Sequence, residues 1–401
     1  MRLDPAQRFA CSQCGRCCRG VDVVVTAAEI DLYRRRHAAA WFRGAGGVNA
    51  SDPFEPVPGA PALRRIRKRE DGSCGFLSDD NRCRIHEELG AAKKPLTCRL
   101  FPYAFHAAAA DGVVVKASFK CPTIAANEGA LINDGAPRAA LESLRHEWFA
   151  IYPSTPAALE LVSGRSMGTR TLLLLRQSLL TMLAADGDDL RSGVRRIGAV
   201  LEDLTRSRVL ALSQEDFAEY VSLTVPHAAA KQEAPPARDA GAIARMLQYG
   251  FLYAVAATRD DIAHPGQPRT RARWRRLRLL AHFHGLAPAL EGLNVNALKR
   301  RRVDINNAQI RPIAFHYLRS TIETLGGAGR PIVDELTMAV SYLNAACALA
   351  AMKADAAATD VDRNIFIQSL TEVSDVSHAR HTLLESILAR FSSGIDALLS
   401  L

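Results

Sequence analysis

The chain has 401 residues, 51 Lys and Arg against 42 Asp and Glu, and a formal net charge of +9. A chain of this length can bury enough apolar surface to be stable without covalent staples, which excludes the short, cysteine-dense secreted scaffold. Its nine cysteines are placed unevenly: Cys11, Cys14, Cys17, Cys18, Cys74, Cys83, Cys98 and Cys121 fall in the first 121 residues, and Cys347 alone lies beyond.

In chain order, the first residues show no apolar h-region, so a cytoplasmic, reducing location is expected. The cysteine run Cys11-x2-Cys14-x2-Cys17-Cys18 follows at once. Residues 20–25 are β-branched and read as a strand. Thr26 and Glu29 match a capping box, which predicts a helix over 27–42. Residues 44–61, rich in Gly and Pro, read as a loop. Residues 63–69 alternate as an edge strand does, and Asp71-Gly72 marks a tight turn. Residues 85–89 predict a short helix closed by Gly90. Residues 103–106 and 113–119, joined at Asp111-Gly112, carry a hairpin signature whose far strand delivers Cys121 back towards the start.

Beyond about residue 126 the texture changes to Ala- and Leu-rich helical periodicity. Segments near 137–151, 156–185, 187–212, 214–224, 241–258, 271–284, 309–325, 331–353 and 378–400 read as helices. The stretch 226–239, with Pro235 and Pro236, reads as an exposed linker that can divide the helical part near 226–240. The expected fold class is therefore α+β: a small cysteine-rich metal-binding module with short strands over residues 1–125, then a mostly α-helical domain over 126–401. Residues 336–352 carry no charge but include Thr337, Ser341 and Asn344, and read as a core helix rather than a membrane span.

Thiolates at i, i+3 and i+6, with Gly15 allowing a sharp bend, can turn towards one centre, and a remote Cys-Pro such as Cys121-Pro122 often completes an iron–sulfur site. Cys17 and Cys18 are adjacent and point apart in extended chain, so one of them is expected to serve a second centre. Zinc is the chemical competitor, since it takes four thiolate or imidazole ligands, but the later cysteines contain no second C-x2-C knuckle. Iron–sulfur is favoured, zinc comes second, and unmetallated thiols third. Cys347 reads as a buried small residue.

The set Cys11-x2-Cys14-Gly-x-Cys17-Cys18-x-Gly20, Gly72-x-Cys74-x-Phe-Leu77, Cys83-x-Ile85-His86 and Lys94-Pro95-x-x-Cys98-Arg99-x-Phe101-Pro102 resembles the YkgJ-type cysteine-cluster family, a zinc- or iron-chelating domain. The resemblance covers residues 8–125 and implies that all eight cysteines are metal ligands. The chain is also similar to the flagellin lysine-N-methylases, which pair such a module with a helical part. That likeness implies a [4Fe-4S] cluster acting with S-adenosylmethionine on a protein substrate.

Other residues admit two readings each. His86 and His106 could ligate zinc, but eight cysteines already fill two four-ligand sites, so hydrogen-bonding or surface roles are expected. Arg99 could bind the cofactor, through a cluster sulfide, or an anionic substrate; the alternative is an exposed ion-pairing arginine. Residues 1–125 hold 20 Lys and Arg against 13 Asp and Glu, and the rest 31 against 29. Two four-thiolate sites around +2 cores would each carry about −2, which that surplus offsets. A nucleic-acid partner is not indicated, since no reading element is visible. The basic run at 269–278 reads as a solvated helix face with Trp274 turned inward. Residues 325–331 read as a helix end with proline starting the next helix. No H-E-x-x-H zinc site or Walker loop is present. Two function classes follow: a metal-binding or electron-transfer protein with a redox partner, and a protein-lysine methyltransferase.

Overall fold

In the computed structural model the described residues are 1–36, 52–57, 60–69, 71–184, 189–231, 269–283, 296–327 and 329–379, with 234, 252–253, 256–257 and 294. The helices expected over 241–258 and 378–400, and much of the two loops expected over 44–61 and 226–239, lie largely outside them.

The N-terminal third is assembled from β1 (Arg8–Phe9), α1 (Arg16–Gly20), β2 (Val24–Thr26), α2 (Ala27–Arg35), β3 (Phe54–Val57) and β4 (Ala60–Ile66). It continues with α3 (Arg84–Leu89), α4 (Leu96–Leu100), β5 (Tyr103–Ala108), β6 (Gly112–Ala117), α5 (Pro122–Ala126) and β7 (Ala130–Leu131). The capping box forms as expected: Thr26 Oγ1 accepts from the Glu29 amide at 3.3 Å and Glu29 Oε2 from the Thr26 amide at 2.8 Å. Glu29 Oε1 also accepts from the Leu96 amide at 2.7 Å, which fixes α4 against α2. Strands β2, β4 and β3 form an antiparallel sheet in that order. The strand expected at an edge is therefore central, because the Pro-bearing segment around Pro56 pairs with it as β3. Pro56 is tolerated there next to a register shift at the edge. Val25, Ile30, Tyr33, Phe54, Phe76 and Ile85 make a small core beneath this sheet. The hairpin β5–β6 forms as expected, Ala108 facing Gly112, whose φ of +68° suits glycine at the turn.

The remainder comprises α6 (Gly135–Ile151), β8 (Glu160–Val162), β9 (Arg165–Ser166), α7 (Thr169–Ala184), α8 (Leu190–Leu204), α9 (Ser207–Leu210) and α10 (Gln214–Ala230). It closes with α11 (Arg269–Phe283), α12 (Ala297–Arg300), α13 (Arg311–Glu323), α14 (Ile332–Ala356) and α15 (Arg363–Ala379). The chain is thus α+β, strands short and early, helices dominant later. The helix expected over 156–185 is shorter than that: Gly164, at φ +81°, turns β8 into β9 before α7 begins. Pro226 lies inside α10, so the loop starts later than expected. Burial of Val225 and Ala229 at 1% and 8% exposure outweighs the hydrogen bond that proline removes.

Helix α14 is long and apolar enough to cross a membrane, but 83% of its most apolar window is buried among its neighbours. Pro331 precedes it as expected, after a break with Gly326 and Gly329 in the left-handed region. Trp274 is 73% exposed rather than turned inward. On α11 Leu279 and His282 are buried, and Trp274, five and eight places earlier, emerges about 140° and 80° around the helix from them.

The two regions meet in one core. Phe119, Cys121, Ile124 and Ala125 pack with the helices, and Phe119 sits edge-on to Tyr317 with ring centres 4.7 Å apart. His316 Nε2 reaches the Ile124 carbonyl at 3.1 Å. Ion pairs add Arg16 to Asp375 at 2.9 Å and Arg176 to Asp111 at 2.7 Å.

Candidate metal centre

Four local features carry cysteines to one place. Gly15, at φ +67°, caps α1, and a Cβ there would stand 3.0 Å from Arg19 Nη1 and 3.1 Å from Asn81 Cβ, so the bend suits glycine. Helix α1 then presents Cys17 and Cys18. The Cys18 carbonyl accepts from the Cys74 amide at 2.6 Å, and the turn at Gly72 folds residue 74 back against Lys68. Leu77 bridges to Cys83 across a second turn, and Cys98 lies mid-way along α4, held by the Pro95 carbonyl at 2.9 Å.

The outcome is a cavity of about 30 Å³ lined by five thiols, Cys17, Cys18, Cys74, Cys83 and Cys98, and closed by Val23, Ile66, Phe76 and Ile85 among others. Cys17 and Cys18 face this same space, with their sulfurs 4.0 Å apart. The expectation that adjacent cysteines diverge fails because the pair is helical, where neighbours differ by about 100° and not the half-turn of a strand. The other three thiols are set apart. Cys11 and Cys14 are exposed on the loop before α1, while Cys121 is buried at the start of α5, 3.3 Å from Thr123 Oγ1. Burial first, with a smaller contribution from Cys14, raises the Cys121 thiol. Cys347 sits on α14, packed against the main core, where burial pushes its thiol up to about 12.

The electrostatics of the cavity follow from crowding. Burial, then Cys74, raises the Cys98 thiol, and burial raises Cys74. Cys17 is the exception, lowered by the S–H of Cys18, which is itself raised by the same contact. Lys94 supplies the cation: burial works against its ammonium, but Cys98, Cys83, Cys17 and Cys18 together outweigh this and raise its pKa. Sequence reasoning missed Lys94, although it stands inside the Lys94-Pro95-x-x-Cys98 motif. Arg99, expected to reach a cofactor or substrate, points elsewhere; its guanidinium takes the Lys94 carbonyl at 3.0 Å and both oxygens of Glu147. His86 is exposed on α3, and His106 lies on β5 in a different cleft.

The donor set suits a thiophilic metal. Two sulfurs on a tetrahedral ion at ~2.3 Å stand about 3.8 Å apart, near the Cys17–Cys18 spacing. A cavity of about 30 Å³ holds roughly two water-sized spheres, enough for one ion. Among the described residues no three potential ligands stand at metal-binding distance; the thiols line the wall, so binding requires them to close inward. Bound metal would supply the counter-charge for the thiolates, and Lys94 would offset what remains.

Residues 10–122 match the model of the CxxCxxCC family, a "putative zinc- or iron-chelating domain". This stretch is a cysteine-cluster domain of that kind, and its span opens just before Cys11 and closes just after Cys121. No curated protein and no solved structure matches the chain.

Lys94→Met is expected to weaken metal binding about 10- to 100-fold while Lys94→Arg retains most of it, as read by competition with a calibrated chelator. Equal affinities for Met and wild type would show that the ammonium does not serve the thiolates.

Proposed function

We propose that the chain is a zinc- or iron-binding protein whose metal is held in the cavity by four of the five thiols Cys17, Cys18, Cys74, Cys83 and Cys98, with residues 1–125 as the metal module and 126–401 as its helical partner. One observation carries this: thiols from four separate local structures line a single small space beside an ammonium ion. The volume favours a single ion, on which the thiols would close inward.

A second reading keeps the iron–sulfur expectation. Its support is that Cys14, from the C-x2-C-x2-C run, is among the charges that raise the thiol of Cys121, which precedes a proline. All eight cysteines would then be ligands, divided between the cavity and an outer locus made of Cys11, Cys14 and Cys121. A [4Fe-4S] centre there would suit electron transfer to a redox partner, or methyl transfer from S-adenosylmethionine to a lysine on a flagellin-like protein substrate.

Metal analysis of protein purified without oxygen separates these readings. Colourless protein with about one zinc per chain supports the first. Brown protein with absorption near 400 nm that dithionite bleaches supports the second. Protein free of both metals overturns both. Calorimetry with S-adenosylmethionine on the metal-loaded chain tests the enzyme reading, and absence of binding removes it.

A further inference from the structure

We infer that the exposed face of α11 is a docking surface for an anionic phospholipid bilayer, on which the helix lies flat without crossing it. The observation behind this is Trp274, which stands 73% exposed where the sequence pattern turned it inward. Leu277, three residues on, is 49% exposed, and both belong to the few large apolar side chains that the described residues leave to solvent.

The face has a defined pattern. Thr270, Trp274, Leu277 and Ala281 follow at steps of four, three and four, which places them within about 60° of one another around the helix. Trp274 and Leu277 therefore form a short apolar stripe. Arg271 and Arg278 border it on one side, about 40° to 60° from Trp274, and Arg273 borders it on the other, about 40° from Leu277. All three are exposed, and among the described residues their side chains take part in no hydrogen bond or ion pair. No acid on α11 can supply one, since its 15 residues include Arg269, Arg271, Arg273, Arg275, Arg276 and Arg278 but no Asp or Glu. Burial of Leu279 and His282 fastens the helix by its other side, so the stripe is presented by an anchored element.

The composition of this face selects among partners. A guanidinium pairs bidentately with phosphate, and an exposed indole favours the boundary between headgroups and acyl chains. An anionic bilayer satisfies both and also buries Leu277. A nucleic-acid duplex would engage the arginines through its phosphates but leave Trp274 and Leu277 against a polar groove wall. A second copy of the face would set arginine against arginine. The arginine content of α11 also forbids insertion across the membrane, so the contact is peripheral. The inference is independent of which metal the cysteines hold.

Co-sedimentation of the full, metal-loaded chain with vesicles tests it, using phosphatidylcholine alone and phosphatidylcholine with a third of phosphatidylglycerol. Binding to the anionic vesicles only is expected, weakening as salt rises, with tryptophan emission moving to shorter wavelength. Arg271→Gln combined with Arg278→Gln is expected to lower partitioning about 30-fold, since each basic residue at such a surface contributes about fivefold. Trp274→Ala is expected to lower it about tenfold, and Trp274→Phe to remove the emission shift while binding persists. Unchanged metal content and unfolding midpoint show that each variant is folded. The inference is overturned if anionic vesicles do not bind, if neutral vesicles bind as well, or if the folded double arginine variant partitions like wild type. It is equally overturned if an oligonucleotide or polyglutamate, at the same salt and charge concentration, binds more tightly than the anionic vesicles.

Discussion

Cys98→Ser is expected to strip most of the zinc or iron from the chain, with metal affinity falling by more than about 100-fold, whereas Cys347→Ala leaves the metal content as it was. Changing a group that merely supports a ligand already costs 10- to 100-fold, so loss of a ligand costs more. Cys98 is the natural choice because it lines the cavity from α4, an element pinned by Glu29 and packed beside Lys94. Serine keeps the size but not the soft donor. Burial raises the Cys98 thiol, so metal must displace a firmly held proton there; metal content is accordingly expected to fall as pH is lowered. Elemental analysis of both variants decides the matter, and equal losses from Cys98→Ser and Cys347→Ala would show that the ligand set is wrong.

Arg176→Met is expected to destabilise the fold by about 3 kcal/mol in urea titrations, the largest effect anticipated from a side chain remote from the cysteines. Arg176 is 1% exposed on α7, 2.7 Å from Asp111 and donating to the Leu325 carbonyl. Its approach to Asp111 is held by charge rather than by an aligned hydrogen bond, since Asp111 Oδ2 has no hydrogen-bond partner. Removing the cation leaves a nearly buried carboxylate at the hairpin tip without compensation. Arg176→Met combined with Asp111→Asn is expected to recover a good part of the loss. A single variant within about 0.5 kcal/mol of wild type would show that the pair contributes little.

Local chemistry made much of this legible in the sequence. The Thr26–Glu29 box, the Gly90 stop and the Asp111-Gly112 turn each act within a few residues, and each forms. Longer-range outcomes were harder to read. Helix α15 was missed because Ser369, Thr371 and Ser374 interrupt its apolar pattern, yet all three are buried, their hydroxyls bonded to the carbonyls of Ile365, Ile367 and Leu370. The cysteine spacing pointed to a metal but could not divide the thiols. That division depends on whether residues 16–20 coil or extend, and on where two turns deliver Cys74 and Cys83. Lys94 carried no signal by itself, since a lysine before proline reads as ordinary loop.

The mixed packing around α5 has a practical consequence for anyone cutting the chain. A fragment ending at residue 125 would present Phe119, Ile124 and Ala125 to water and invite self-association, while one beginning at 126 would leave an unfilled hollow against α13. Each half acts as the other's lid, so a measurement on either alone would report on exposed seams rather than on the protein.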